Sequence, residues 1–293
     1  MKTVTVISGK GGTGKTSLVG SFASLLNSKA VLVDGDVDAA NLSLITGARL
    51  IENHEFKASR VAAVDHETCS GCNLCRDLCR FEAISENYIV NPVTCEGCAF
   101  CAYACPQEAI TMQEKVSGQW FVSETAYGLL VHARLGIAEE NSGKLVTTVR
   151  NKGQELAETH GKEYLLIDGP PGIGCPVIAS LAGVDAALIV TEPTVSGIHD
   201  LKRILSVCRH FGVTAAVCIN RFDLGTTQTA LIEDYCRQED IIMAGKIPFD
   251  RAFVEAMVQG VPVIEYRIGL LSEEISNIWD NLSSITELKH ENK

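Results

Sequence analysis

No run of apolar residues in this 293-residue chain is long enough to cross a bilayer; stretches such as Ala186-Ala187-Leu188-Ile189-Val190 have the length of buried strands. Positive charge is also scarce. Lys and Arg total 25 against 36 Asp and Glu, a net charge of −11. A cationic face for phosphate backbones is not to be expected, so nucleic acid is not the expected partner, nor is an anionic membrane surface. No signal-peptide layout precedes the first strand pattern, Thr3-Val4-Thr5-Val6-Ile7, and the expected location is cytoplasmic. The remainder is ordinary: 46% hydrophobic and 21% charged residues suffice for one large core or two smaller ones.

Cysteine is abundant and unevenly placed. Eight of the twelve fall between Cys69 and Cys105, while Cys175, Cys208, Cys218 and Cys236 are scattered. In a cytoplasmic chain this points to metal or redox chemistry rather than to a disulfide framework. The set Cys69, Cys72, Cys75, Cys79 recurs 26 residues later as Cys95, Cys98, Cys101, Cys105. The repeat extends to Val64 and Val90, and to Glu82-Ala83-Ile84 and Glu108-Ala109-Ile110.

Outside the cluster, apolar strands alternate with helical patterns. Strands are predicted over 3–8, 30–34, 164–168, 186–191, 213–220 and 241–247. Helices are predicted over 15–27, 144–160, 197–211, 231–238, 251–259 and 268–288. Such alternation predicts an α/β fold with a mostly parallel sheet covered by helices on both faces, and a ligand beyond the carboxyl ends of its strands.

The first strand runs into Gly9-Lys10-Gly11-Gly12-Thr13-Gly14-Lys15-Thr16 and then a helix, a G-x-x-x-x-G-K-[ST] loop in its expected context. Glycines let backbone N–H groups turn onto phosphate oxygens, Lys15 can reach the β- and γ-phosphates, and the Thr16 hydroxyl can meet Mg²⁺. Gly11, Gly12, Thr13, Gly14, Lys15, Thr16 and Ser17 are the expected nucleotide-binding residues.

With its second lysine, Lys10, the loop resembles the deviant Walker A motif of the MinD/ParA and nitrogenase iron-protein ATPases. The resemblance implies a nucleotide-sandwich dimer, of identical or related chains, in which Lys10 reaches the partner's nucleotide. It continues through Val31-Leu32-Val33-Asp34-Gly35-Asp36, where Asp36 would orient the attacking water. In Leu165-Leu166-Ile167-Asp168-Gly169-Pro170-Pro171-Gly172, Asp168 would hold Mg²⁺ together with Thr16 and Asp36. It also implies that Asn220 and Arg221, and later Pro248 and Asp250, line the base pocket. The expected catalytic set is Lys10, Lys15, Asp36 and Asp168.

The doubled Cys-x2-Cys-x2-Cys-x3-Cys, with Pro106 after the second copy, matches the bacterial ferredoxin pattern for two [4Fe–4S] clusters. In that pattern the fourth cysteine of each copy serves the other cluster. Cys69, Cys72, Cys75 and Cys105 would hold one, and Cys95, Cys98, Cys101 and Cys79 the other. Zinc binding and disulfides are the rival readings. Arg80 departs from the pattern by standing where proline is usual.

The whole chain thus resembles MinD-superfamily ATPases with an inserted ferredoxin domain, related to the ATPase half of cobyrinic acid a,c-diamide synthase but with no glutaminase module. The implied domains are 1–58 with 113–293 for the ATPase and 59–112 for a small α+β insert. A segment around Glu139-Glu140-Asn141-Ser142-Gly143 is typical of that subfamily. The mixed C-terminal segment Thr286–Lys293 does not resemble the basic amphipathic anchor of membrane-bound MinD proteins. The implied function is ATP hydrolysis coupled, through a dimer, to electron delivery to a redox or client protein or to cofactor assembly on it. The alternatives are a positioning or scaffold ATPase whose clusters serve docking or sensing, and an iron–sulfur carrier. Cys175 reads either as a functional thiol in the switch after Asp168 or as a small packed residue. Cys208, Cys218 and Cys236 read as core, and His199 and His210 as surface residues.

Overall fold

The protein's fold comes from a computed structural model, which describes residues 1–136, 139 and 142–291, with no side chain described beyond 287. The expectations for Glu140 and Asn141, and for the C-terminal side chains from Leu288 onward, lie outside these residues. The chain divides into two compact units: 1–53 with 120–134 and 142–293, and 54–119 with 135–141.

The elements follow in order: β1 (Lys2–Ser8), α1 (Lys15–Leu26), β2 (Ala30–Asp34), α2 (Leu42–Ile45), β3 (Arg49–Val64), α3 (Leu74–Leu78), α4 (Phe100–Ala104), β4 (Ile110–Thr125) and β5 (Gly128–Leu135). After these come α5 (Ser142–Thr159), β6 (Tyr164–Pro171), α6 (Cys175–Leu181), β7 (Ala186–Thr191), α7 (Val195–His210), β8 (Thr214–Asn220), α8 (Thr226–Gln238), β9 (Ile242–Ile247), α9 (Ala252–Gln259), α10 (Val263–Tyr266) and α11 (Leu270–Glu291).

Among the described residues the sheet has nine strands in the order β3-β4-β5-β2-β6-β1-β7-β8-β9. From β5 to β9 every neighbouring pair is parallel. β4 and β5 are hydrogen-bonded neighbours joined by two residues, a link that permits only antiparallel pairing, so the sheet is mixed and mostly parallel. β2 and β7 are buried along their whole length. Continuous apolar sequence is what a parallel strand covered on both faces requires.

The helices each bury one stripe. α5 buries Leu145, Val146, Val149, Gly153 and Ala157, and α7 buries Leu201, Ile204, Leu205 and Cys208. α11 buries Leu271, Ile275, Ile278 and Leu282, and its Trp279 ring lies 5.1 Å from that of Phe22 and 5.4 Å from that of Tyr164.

The second unit is built on the repeat. Its two copies make matching backbone bonds: Cys69 N to Asp65 O at 3.0 Å and Cys95 N to Asn91 O at 3.1 Å, then Glu82 N to Cys79 O and Glu108 N to Cys105 O, both at 3.2 Å. α3 and α4 start after Asn73 and Ala99, which share a left-handed backbone. A small core of Ala62, Cys75, Ile84 and Ile110 holds the copies together. The unit begins before residue 59, runs beyond 112 and takes in 135–141, so it is wider than the expected 59–112 insert.

Candidate functional site

The carboxyl ends of β1, β2 and β6 carry the chemistry. β1 delivers the loop that turns into α1 through Gly14, whose φ is 93°. A Cβ on Gly14 would lie 2.5 Å from Asn220 Nδ2, so both backbone and space demand glycine there. Asn220, buried at the end of β8, donates from Nδ2 to Thr13 O at 2.8 Å and so ties the loop to the sheet.

In the sheet register Asp34 of β2 faces Asp168 of β6, and Gly35 N donates to Asp168 O at 2.8 Å. Both acids are buried. Asp34 accepts from Asp36 N at 3.1 Å and Leu42 N at 3.0 Å, fixing the segment after β2. Neither carboxylate oxygen of Asp168 has a hydrogen-bond partner among the described residues. Burial pushes its pKa up to about 7, against the pull of Lys15 and the nearby Thr16 hydroxyl. Burial, and then the charge of Asp168, raise Asp34 well above the carboxylate range. Asp36 is raised less, burial being opposed mainly by Lys15.

A cavity of about 480 Å³ opens over this edge. Of the expected residues, Gly11, Gly12, Gly14, Lys15, Thr16, Ser17, Asp36, Asn220, Arg221, Pro248 and Asp250 line it. Thr13 and Asp168 lie buried outside its lining, and Lys10 stands apart, paired with Glu192 at 2.8 Å. Glu192 also accepts from Arg221 Nη1 at 2.5 Å. Asp250 accepts from Ala252 N at 2.8 Å and from Arg267 Nη1 at 2.7 Å, contacts that order the loop at the rim.

Sequence reasoning missed Asp34, Glu192 and the apolar wall of Phe249, Phe253, Val254 and Met257. Asp34 had a signal, an acid ending an apolar strand; Glu192 had none. Cys175 is exposed, which corrects the reading that packs it as a small residue. Cys208, Cys218 and Cys236 are buried, with thiols pushed up to about 12, 12 and 11 by burial.

In the second unit every cysteine is a free thiol. One cavity, of about 330 Å³, is lined by Cys79, Cys95, Cys98 and Cys101. Another, of about 20 Å³, is lined by Cys69, Cys72, Cys75 and Cys105. Backbone N–H groups of Ala83 and Ala109 point at Cys79 Sγ and Cys105 Sγ, each at 3.4 Å. Among the described residues no three His, Cys, Asp or Glu side chains are grouped closely enough to hold a metal ion. No described helix is long and apolar enough to cross a membrane.

A glycine-rich loop between strand and helix, with a lysine under it and acids on the neighbouring β6 and at the end of β2, defines a P-loop ATPase. Residues 4–263 match the CobQ/CobB/MinD/ParA nucleotide binding domain family, and the chain belongs to it. An uncharacterized protein of Methanocaldococcus jannaschii is 36% identical over 221 residues, 74% of this chain and 77% of that one. The septum site-determining protein MinD of Neisseria meningitidis is 24% identical, over 94% of this chain and 89% of its own. The solved structure of septum site-determining protein MinD from Pyrococcus horikoshii, complexed with Mg-ADP, shares the fold. Its TM-score is 0.61 at 18% identity, covering 97% of this chain and 98% of that one.

Proposed function

We propose that this ATPase is a MinD/ParA-type switch: binding of Mg²⁺-ATP pairs two subunits, and the pair positions or scaffolds a partner protein. The pair is formed by identical or closely related chains. The observation that carries the reading is the convergence of Lys15, Asp34, Asp36 and Asp168 under one phosphate loop. Lys15 holds the β- and γ-phosphates, and the backbone of Gly11, Gly12, Thr13 and Gly14 cradles their oxygens. Bound Mg²⁺ neutralises phosphate charge. Thr16, Asp36 and Asp168 fit it, because the unpartnered buried carboxylate of Asp168 gains there the cation that it lacks. Asp36 orients the attacking water by accepting its hydrogen bond. Asn220 and Arg221, with Pro248 and Asp250, frame the base. Lys10 completes the partner's site.

The cysteine-rich unit is read as a ferredoxin-like insert holding two [4Fe–4S] clusters. The support is that each cavity is lined by three cysteines of one copy and the fourth of the other, the crossed set that the spacing implies. All eight are free thiols, and two face N–H donors. The relatives named for a role are septum site-determining proteins and an iron–sulfur cluster carrier protein, none of them named for electron delivery, which favours positioning or scaffolding; the clusters then serve docking or sensing.

Sedimentation of the Asp36→Ala variant tests the switch. A dimer with Mg²⁺-ATP and a monomer with ADP are expected; a monomer with both would overturn the reading. Anaerobic metal analysis tests the insert. About eight iron with matching sulfide per chain are expected, and zinc alone or no iron would refute the clusters.

A further inference from the structure

We propose that the two cysteine sites are inequivalent: the site of Cys79, Cys95, Cys98 and Cys101 exchanges its cluster, and the site of Cys69, Cys72, Cys75 and Cys105 retains it. This rests on the reading that both hold [4Fe–4S] clusters.

The 26-residue repeat gives the two sites matching ligand loops. Gly71 and Gly97 have φ of 70° and 65°, and the N–H···S bonds at Cys79 and Cys105 have the same length. The cavities of about 330 and 20 Å³ differ in the walls around those loops, where Tyr88 stands in a turn with φ of 58° and Ala62 in β3.

Tyr88 and Ala62 are 26 residues apart, and each lines its own site. Tyr88 covers Gly71, its hydroxyl 2.8 Å from Gly71 O and 2.9 Å from Asn73 Oδ1. Ala62 gives the open site no such ring, and the atoms nearest Gly97 are those of the Arg60 backbone. Arg80 and Phe81 stand at the open site where the closed one has Pro106 and Gln107. Two residues of the open site's wall, Phe81 and Phe100, are 43% and 51% exposed.

A cluster held by Cys69, Cys72, Cys75 and Cys105 would have Tyr88 in its wall, and one held by the other set would face the wide cavity. The apolar shell of a metal site sets solvent access. A chelator or an acceptor thiolate would reach an iron held at the open site first, taking the place of a cysteine thiolate that is released to solvent.

The test is iron retention by the anaerobically reconstituted full chain in excess EDTA, followed by iron content and cluster absorbance. Two phases of about four iron each are expected, the fast one absent in Cys98→Ala. Tyr88→Ala should bring the slow phase to the fast rate, and Ala62→Leu should slow the fast phase several-fold. Tyr88→Phe keeps the ring and loses the hydroxyl contacts, so it should fall between; it decides the matter if Ala62→Leu does not load. A single phase in the wild type, or a slow phase unmoved by Tyr88→Ala, overturns the proposal. A chain that takes up no iron at all refutes instead the cluster reading beneath it.

Discussion

Asp34 and Asp168 stand side by side in the register of β2 and β6, two buried carboxyl groups on adjacent strands under the phosphate loop. Each raises the cost of ionising the other, because burial removes the water that would separate their charges. The native pKa of Asp168 is about 7, above that of an unfolded aspartate. Between the two values the native state binds more protons than the unfolded chain, so the stability of the nucleotide-free protein falls as pH rises through that window. Thermal melts from pH 5 to 8 should show this fall, and Asp168→Asn should flatten it. Affinity for Mg²⁺-nucleotide should run the other way, weakening about tenfold per pH unit below about 7, because one proton must leave. A pH-independent affinity would remove Asp168 from the metal site.

Glu192 holds Lys10 and Arg221 together. Lys10 is the cation assigned to the partner's nucleotide, so within one subunit it is neutralised. When Lys10 leaves, Arg221 still pairs with the mostly buried Glu192, which keeps the release inexpensive. Glu192→Gln should lower stability by about 1 kcal/mol or less, both cations being partly exposed. It should lower the ATP concentration needed for pairing several-fold, measured by light scattering. An unchanged ATP requirement would mean that Glu192 is purely structural.

Gly14→Ala places a methyl group 2.5 Å from Asn220 Nδ2, at a φ of 93°. The Asn220 bond to Thr13 O must break, and the loop loses its tie to β8. Nucleotide binding measured by calorimetry should fall at least about tenfold while the far-ultraviolet circular dichroism stays native. Wild-type affinity would show that the loop's conformation does not depend on that glycine.

β1, β2, β6 and β7 were legible because buried parallel strands are written as unbroken apolar runs, and the glycine-lysine loop carries its own spacing. β3 and β4 were not. Most of β3 is exposed, with Phe56 and Ala62 its buried apolar residues, so pairing rather than an apolar pattern makes it a strand. The crossed cysteine sets followed from the repeat. The difference between their cavities did not, because it turns on where the Tyr88 ring lies. Asp34 was overlooked beside Asp36, although an acid closing an apolar strand is visible in sequence. Glu192 lies in no motif, and its role comes from folding alone.

The claim that two subunits share each site is tested most directly by mixing Lys10→Ala with Asp36→Ala and measuring Mg²⁺-ATP hydrolysis. Each variant alone should be nearly inactive, the first lacking the partner's lysine and the second the water-orienting carboxylate. In a mixed pair, the Lys10→Ala subunit keeps Asp36 and receives Lys10 from its partner, so one site is complete. Hydrolysis should reappear on mixing and depend on total protein concentration. If the mixture is as inactive as its components while the two variants still form mixed pairs, Lys10 acts within its own subunit and the shared-site account is wrong.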